Sequence, residues 1–329
     1  MGDAAAGDAA GAGAERAAAP SGGAMLHALG DRGGARSGGA LPHVVVIVLN
    51  WCGYDDTAAC LRSLAASDWP RQTVLLVDNG SPDGSGERLH RDFPELPYLQ
   101  TGENLGYTGG NNRGFTWALA HGADHVVVLN NDTEVAPDCV RRLVEGAGAH
   151  PAVGLVAPKI LVHDDPATLW FAGGDLALAR GTGRHRGEGV AERAFAAGAR
   201  PGDITFATGC CFLLTRAALE ATGGFDEGYF AYNEDVDLSY VLRRRGFRLR
   251  YEPAARLTHK VPVVPQEPSP FQIRQRDRNR RRFVRLRLRP HRRFLFACWF
   301  YPTRVVHLAR YLARGDRARA AAVVRGALA

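Results

Sequence analysis

Three short runs of β-branched and aliphatic residues, Val44 to Leu49, Thr73 to Val77 and His125 to Leu129, each stop abruptly at polar side chains. The stops are Asn50-Trp51, Asp78-Asn79-Gly80-Ser81 and Asn130-Asn131-Asp132. Unbroken apolar runs of this length, bounded by turn residues, are the pattern of strands buried on both faces. The intervals carry helical periodicity: Asp55 to Ala66 sets Ala58, Leu61, Leu64 and Ala65 on one face, and Gly109 to His121 and Pro137 to Ala149 carry comparable signals. Alternating strand and helix predicts a doubly wound α/β sheet, mostly parallel, with helices on both faces. Such sheets bind ligands beyond the carboxyl ends of their strands, so three polar clusters at three neighbouring ends predict one site.

Each cluster has a chemical reading and a plainer one. Asn130-Asn131-Asp132 offers a carboxylate and two amide oxygens, the ligands a hard divalent cation accepts, and is equally the Asx chemistry of a strand-to-helix turn. Asp78 to Ser85 offers a carboxylate for ribose or base hydroxyls, or is a well-made loop. The run Asn104-Leu105-Gly106-Tyr107-Thr108-Gly109-Gly110-Asn111-Asn112 places glycines where backbone passes close to a ligand and opens a helix with free amide donors. It fits neither the Walker pattern nor the dinucleotide fingerprint. Tyr232 to Leu238 starts a helix, and Glu234 and Asp235 meet its positive end, which favours the ionised carboxylate a general base requires; acids there are also ordinary caps. His259 is a metal ligand through neutral imidazole, or a packed histidine.

The second half alternates less clearly. Gly173 to Asp203 reads as a long loop or flap, Thr205 to Thr215 as strand-like, and Phe247 to Tyr251 as a strand following a helix that ends at Gly246. From Arg274 to Arg293 arginines dominate, interleaved with Phe283, Val284, Leu286 and Leu288. This stretch reads equally as a contact with an anionic membrane surface, extending to residue 301, or as a helical face packed on the preceding domain.

Composition bounds the setting. A net charge of +7 over 329 residues implies an anionic partner: a nucleoside diphosphate, a membrane surface or a nucleic acid. Six cysteines without a CxxC pair read as buried thiols in a reducing cytoplasm. Residues 1–41 are Ala/Gly-rich, without the apolar core of a secretory signal, and read as a disordered arm. No run approaches the ~20 apolar residues that span a bilayer. The best candidate, Phe294 to Tyr301, is expected to stop at Pro302, so the expected location is cytoplasmic, at most peripheral on the inner face of the cell membrane.

Taken in order, residues 43–260 resemble the family 2 glycosyltransferases of the GT-A fold, particularly the bacterial rhamnosyltransferase-like branch. The resemblance rests on Val46-Ile47-Val48-Leu49-Asn50-Trp51, Val77-Asp78-Asn79-Gly80-Ser81, Asn104-Leu105-Gly106-Tyr107 with Gly109-Gly110-Asn111-Asn112, and Leu129-Asn130-Asn131-Asp132. It continues through Thr208-Gly209, Gly223-Gly224-Phe225-Asp226-Glu227, Asn233-Glu234-Asp235-Val236-Asp237-Leu238 and His259-Lys260. It implies an inverting, metal-dependent transfer from a nucleoside-diphosphate sugar, dTDP-rhamnose first, to a glycan, lipid-linked or small-molecule acceptor. Asn50, Trp51, Asp78, Asn79, Asn104, Gly106, Gly109, Asn112 and Asn131 would bind the donor. Asp132 would hold Mg²⁺ or Mn²⁺, with Asn130 and His259 in support; Asn130 stands where the family's DxD has its first Asp. Asp235 would be the base and Glu234 would position acceptor or donor. The implied organisation is a catalytic domain over 42–262, divided at 135/136 into nucleotide-sugar and acceptor halves, then a basic amphipathic extension over 263–329. A nucleotidyltransferase would leave Asp235 unexplained, and a nucleic-acid-binding module built on the arginine-rich tail lacks any accompanying RNA or DNA motif.

Overall fold

The computed structural model describes residues 40–195, 199–261 and 266–329. All but the last two residues of the arm expected over 1–41 lie outside the described residues. The first half consists of β1 (Val44–Asn50), α1 (Tyr54–Ala65), β2 (Gln72–Asp78), α2 (Ser85–Asp92), β3 (Tyr98–Gln100), α3 (Gly106–Ala120) and β4 (His125–Asn130). β1 pairs in parallel with β2 and β4, with Asn50 opposite Asp78 and Leu49 opposite Asn130. The three polar clusters therefore stand side by side at one end of the sheet. Val44 to Val48 are fully buried. Each such side chain contributes about 1.5–3 kcal/mol of burial, so a shifted register would be costly.

The second half comprises β5 (Thr133–Val135), α4 (Cys139–Gly148), β6 (Val153–Val162), β7 (Asp165–Phe171), β8 (Gly174–Ala177), β9 (Thr182–His185), β10 (Gly202–Ile204), β11 (Cys211–Thr215), α5 (Arg216–Thr222), α6 (Glu234–Arg244) and β12 (Arg248–His259). β11 inserts antiparallel between β4 and β6, while β12 runs parallel to β6 and antiparallel to β5 and β10. The main sheet runs β10-β12-β6-β11-β4-β1-β2-β3.

Several boundaries differ from the sequence expectation. The stretch 173–203 holds a β8–β9 hairpin and β10 rather than only a loop. A Cβ on Gly174 or Gly183 would come within 2.7 and 2.4 Å of Phe206, so this hairpin packs through bare backbone and shows no apolar alternation. The strand expected from Thr205 begins at Cys211. β12 runs on past Tyr251 to His259, with a register shift between Glu252 and Arg256 that accommodates the missing N–H of Pro253. α3 starts at Gly106 rather than Gly109, because Gly106 enters the helix at φ +70°.

Three helices follow: α7 (Pro270–Arg287), α8 (Pro290–Ala313) and α9 (Arg317–Leu328). α7 opens on a capping box, Ser269 Oγ accepting from Gln272 N at 3.2 Å and Gln272 Oε1 from Ser269 N at 2.9 Å. Phe283, Val284, Leu288, Phe296 and Phe300 join the core of the sheet domain, and residues 40–329 form one compact unit. Arginines on this surface meet buried or half-buried acids: Arg282 with Asp226 at 2.8 Å, Arg287 with Asp237 at 2.7 Å, and Arg304 with Asp277.

Two expectations are corrected here. α8 does not stop at Pro302 but passes through it. The carbonyl that proline leaves without a helical donor belongs to Cys298, on the exposed side of the helix, where water can satisfy it. Cys298 and Cys52 are themselves exposed, whereas Cys60, Cys139, Cys210 and Cys211 are buried free thiols as expected. Cys52 follows the buried end of β1 in a positive-φ turn that lifts it to the surface. Among the described residues, no helix is long and apolar enough to cross a membrane.

Candidate active site

At the ends of β1 and β2, the polar side chains are tied to one another. Asn50 Nδ2 donates to Asp78 Oδ1 at 2.8 Å, Ser81 Oγ at 3.1 Å and Ser85 Oγ at 3.0 Å, and Asn50 Oδ1 accepts from Thr57 Oγ1 at 3.0 Å. Asp78 Oδ2 accepts from Gln100 Nε2 at 2.6 Å and Ser81 N at 3.2 Å. A Cβ at Gly86 would lie 2.2 Å from Asp78 Cγ, so only glycine lets α2 begin against this carboxylate. Asn50 and Asp78 are buried in this wall, and Trp51 is its outward part, 53% exposed.

Asn79 joins the wall to the glycine-rich run. Its Oδ1 accepts from Leu105 N at 3.1 Å, and its Nδ2 donates to Asn104 Oδ1 at 3.2 Å and Gly106 O at 3.0 Å. Side chains at Gly106 and Gly109 would meet Phe230 at 2.5 Å and Leu105 at 2.6 Å, so these glycines serve close packing of the run. Asn112 points elsewhere, accepting from Phe225 N and donating to Phe225 O, both at 2.9 Å, which fixes the segment leading to α6.

At the end of β4, Asn131 Nδ2 donates to Thr57 Oγ1 at 2.8 Å, and Asn130 N donates to Cys210 O at 2.8 Å. Pairing of β12 with β5 sets His259 opposite Thr133, beside Asp132. His259 Nε2 lies 3.1 Å from Asp132 Oδ1. Asp132 Oδ1 and His259 Nδ1 are both buried without a hydrogen-bond partner. An orphaned carboxylate oxygen beside an imidazole nitrogen fits a hard or borderline divalent ion. No three His, Cys, Asp or Glu residues gather into a ligand cluster among the described residues.

Asp235, in the first turn of α6, accepts from Gly209 N at 3.0 Å and Val236 N at 2.8 Å. Since Cys210, the residue after Gly209, is bonded to Asn130, two consecutive residues connect Asp235 to the end of β4. Glu234 is buried beside it, with Oε2 unpartnered. Burial first, and then the charge of Asp235, push the Glu234 pKa well above the carboxylate range. Burial also raises Asp235, but the amides of Gly209 and Val236 oppose that rise. Of the two, Glu234 is pushed further and holds a proton more tightly than Asp235, whose rise the amides oppose.

A carboxyl whose folded-state pKa is raised contributes its stability fully below the unfolded value and loses it as pH rises through the folded value. Glu234→Gln is therefore expected to raise Tm by about 3 °C or more at about pH 8, and by much less at about pH 5. Thermal unfolding at the two pH values checks this, and equal shifts at both would contradict the raised pKa.

The approach to α6 is strained: Phe230, Tyr232 and Asn233 have φ of +63°, +70° and +73°. α7 holds them in place. Asn279 Nδ2 donates to the carbonyls of Tyr229, Ala231 and Tyr232 at 2.9, 2.8 and 2.7 Å, and Gln275 Nε2 to Tyr229 O at 2.7 Å.

A cavity of about 380 Å³ opens on Glu234 and Asp235, lined also by His185, Tyr232, Arg276 and Arg280. Trp170 presents its edge to both His185 and His259, with ring centroids 4.7 and 4.5 Å apart, and so links the cavity to the Asp132 end. Burial lowers the His185 pKa, which favours a neutral ring. Tyr107 donates its hydroxyl proton to Gly209 O, bracing the same connection. Sequence reasoning did not single out these residues: His185 lay in the presumed loop, Trp170 carried no local signal, and Tyr107 was one member of a glycine-rich run. Asp235 is tied to Asn130 through residues 209–210 with Glu234 beside it, and Asp132 meets His259 through the pairing of β5 with β12, while Asn50, Asp78 and Asn79 sit inside the supporting wall.

Comparison with known proteins bears on this arrangement. Over 223 residues the chain is 31% identical to an N-acetylglucosaminyl-diphospho-decaprenol L-rhamnosyltransferase of Mycobacterium tuberculosis, covering 60% of this chain and 70% of that protein. It is 24% identical over 235 residues to the low-salt glycan biosynthesis hexosyltransferase Agl10 of Haloferax volcanii, covering 68% and 69%. In fold it is similar to GalNAc-T7 solved with UDP, GalNAc and Mn²⁺, with a TM-score of 0.59 at 16% identity, covering 75% of this chain and 48% of that one. It is also similar to the mannosyltransferase PcManGT of Pyrobaculum calidifontis solved with GDP-Man and Mn²⁺, with a TM-score of 0.53 at 19% identity, covering 87% and 86%. Residues 43–223, over half the chain, match the family model described as glycosyl transferase family 2, and the chain belongs to that family.

Proposed function

We propose that this glycosyltransferase moves one sugar from a nucleoside diphosphate to an acceptor hydroxyl in a single displacement that inverts the anomeric centre. The observation that carries this reading is the Gly209-Cys210 connection, which bonds the Asp235 carboxylate on one side and the end of β4 on the other. Asp235 takes the proton of the acceptor hydroxyl as its oxygen bonds to the anomeric carbon. The bond from that carbon to the diphosphate oxygen breaks, and the nucleoside diphosphate leaves with the electron pair. One base and a stabilised leaving group suffice for a transition state of oxocarbenium character, without a covalent nucleophile. Glu234, keeping its proton, serves as a hydrogen-bond donor to the bound sugars.

Asp132, His259 and Asn130 would hold Mg²⁺ or Mn²⁺, which would offset the charge growing on the diphosphate. The unpartnered Asp132 Oδ1, with His259 Nε2 at 3.1 Å from it, supports this, as do the Mn²⁺-containing solved structures of similar fold. Trp51 and Asn131 would face the nucleotide, while Asn50, Asp78 and Asn79 act by holding the loops that shape its site. Asn104, Gly106 and Gly109 would bring backbone towards the donor, and Asn112 would keep the acceptor-side segment in place. The relative named as an L-rhamnosyltransferase acting on a diphospho-decaprenol sugar makes dTDP-rhamnose the first donor to test and a lipid-linked sugar the first acceptor.

Purified protein is expected to release a nucleoside diphosphate from one member of a dTDP-, UDP- and GDP-sugar panel, and chelation is expected to lower that rate about 100-fold or more. Undiminished turnover after chelation would refute the metal role. Release of pyrophosphate from a nucleoside triphosphate would favour the nucleotidyltransferase reading instead.

A further inference from the structure

Two sets of arginines on α7 and α8 differ in their partners. Arg282, Arg287 and Arg304 are each matched by an aspartate, Asp226, Asp237 and Asp277. Arg276 and Arg280, one turn apart on α7, line the cavity in front of Glu234 and Asp235, and neither has a carboxylate partner among the described residues. Arg276 lies over the Tyr232 ring, 4.9 Å from its centroid. Half-buried Arg280 spends two N–H groups on the Arg180 carbonyl, at 2.9 and 2.7 Å, and lies 4.8 Å from the centroid of Trp299. Its pKa is pushed down to about 10, first by burial and then by the nearby charge of Arg304. A half-buried cation with no carboxylate in contact is costly, and an anionic ligand relieves that cost.

We propose that Arg276 and Arg280 form an anion subsite of the acceptor, so that the acceptor is a phosphorylated or diphosphate-linked sugar, its attacking hydroxyl at Asp235 and its phosphate against α7. This rests on the reading of Asp235 as the base. The chemistry of the subsite is that of a phosphate oxygen, whether carried by a lipid diphosphate or by a soluble sugar phosphate. The donor diphosphate is assigned to the other end, at Asp132 and His259, neither of which lines this cavity.

The test is calorimetric binding of N-acetylglucosamine, its 1-phosphate and its farnesyl diphosphate ester to the full chain and to Arg276→Gln/Arg280→Gln. The wild type is expected to bind the phosphate-bearing probes at least about tenfold more tightly than the free sugar, and the double variant to lose that preference while binding dTDP unchanged. Equal affinity for the two phosphate-bearing probes identifies the phosphate as sufficient, and a preference for the ester identifies a lipid-linked source. A wild type that does not prefer phosphate, a variant that retains the preference, or parallel loss of dTDP binding overturns the proposal. Should the double variant misfold, Arg276→Gln alone, at an exposed position without hydrogen bonds among the described residues, carries the same comparison. Asp235→Asn separates the two readings: it is expected to keep phosphate-dependent binding while losing transfer, so failure of the base assignment leaves the binding result standing on its own.

Discussion

Asp235→Asn is expected to slow sugar transfer by about 10²–10⁴-fold while leaving donor affinity within about twofold, because a positioned general base supplies roughly that much of the rate. The amide keeps the shape of the carboxylate and its one oxygen can still accept from Gly209 N, while the bond from Val236 N to the other oxygen is lost, so an unchanged Tm and donor affinity are the marks of lost proton acceptance rather than collapse of the turn. The pH profile adds a second mark. Burial raises the Asp235 pKa, and a base works deprotonated, so kcat/KM should rise with pH through a value above that of a free aspartate and then level. Steady-state rates of the two proteins, with donor binding by calorimetry, check the assignment. Transfer at the wild-type rate would remove Asp235 from the chemistry.

Asn279→Leu should have the largest structural effect. One buried amide satisfies the carbonyls of Tyr229, Ala231 and Tyr232, and leucine would leave buried acceptors unmatched at about 1–3 kcal/mol each. Gln275 still serves Tyr229, so a loss of about 3 kcal/mol is expected, lowering Tm by roughly 6–12 °C. Without the clamp, the positive-φ residues before α6 can relax and carry Asp235 off its hydrogen bond to Gly209. The rate should therefore fall about tenfold or more at temperatures where the variant is still folded, with donor KM little changed. A lower Tm with an unaltered rate would reduce Asn279 to a purely structural residue.

The parts of the fold legible in the sequence were those written in local pattern. Val44 to Val48 are buried on both faces and so form an unbroken apolar run, and the polar residues that end such runs mark the end of the sheet, where Asn50 stands opposite Asp78 and Asn130 opposite Leu49. The β8–β9 hairpin escaped because its glycines pack bare backbone on Phe206 and leave no alternation to detect. His185 and Trp170 join the site through contacts between distant strands, which no local window contains. The arginines of α7 all look alike in one dimension. Only their partners separate Arg282 and Arg287, which hold aspartates, from Arg276 and Arg280, which face the cavity.

The span matched by the family model ends at residue 223, yet the amides that hold the approach to Asp235 come from residues 275 and 279. A fragment trimmed to the matched span would lack α6 and Asp235 altogether, and one trimmed after β12 would keep Asp235 without its support. The inherited working unit is accordingly larger than the portion by which kinship is recognised. In chimaeras between relatives, α7 must travel with the turn it braces, and exchanging it would alter acceptor choice and catalytic rate together.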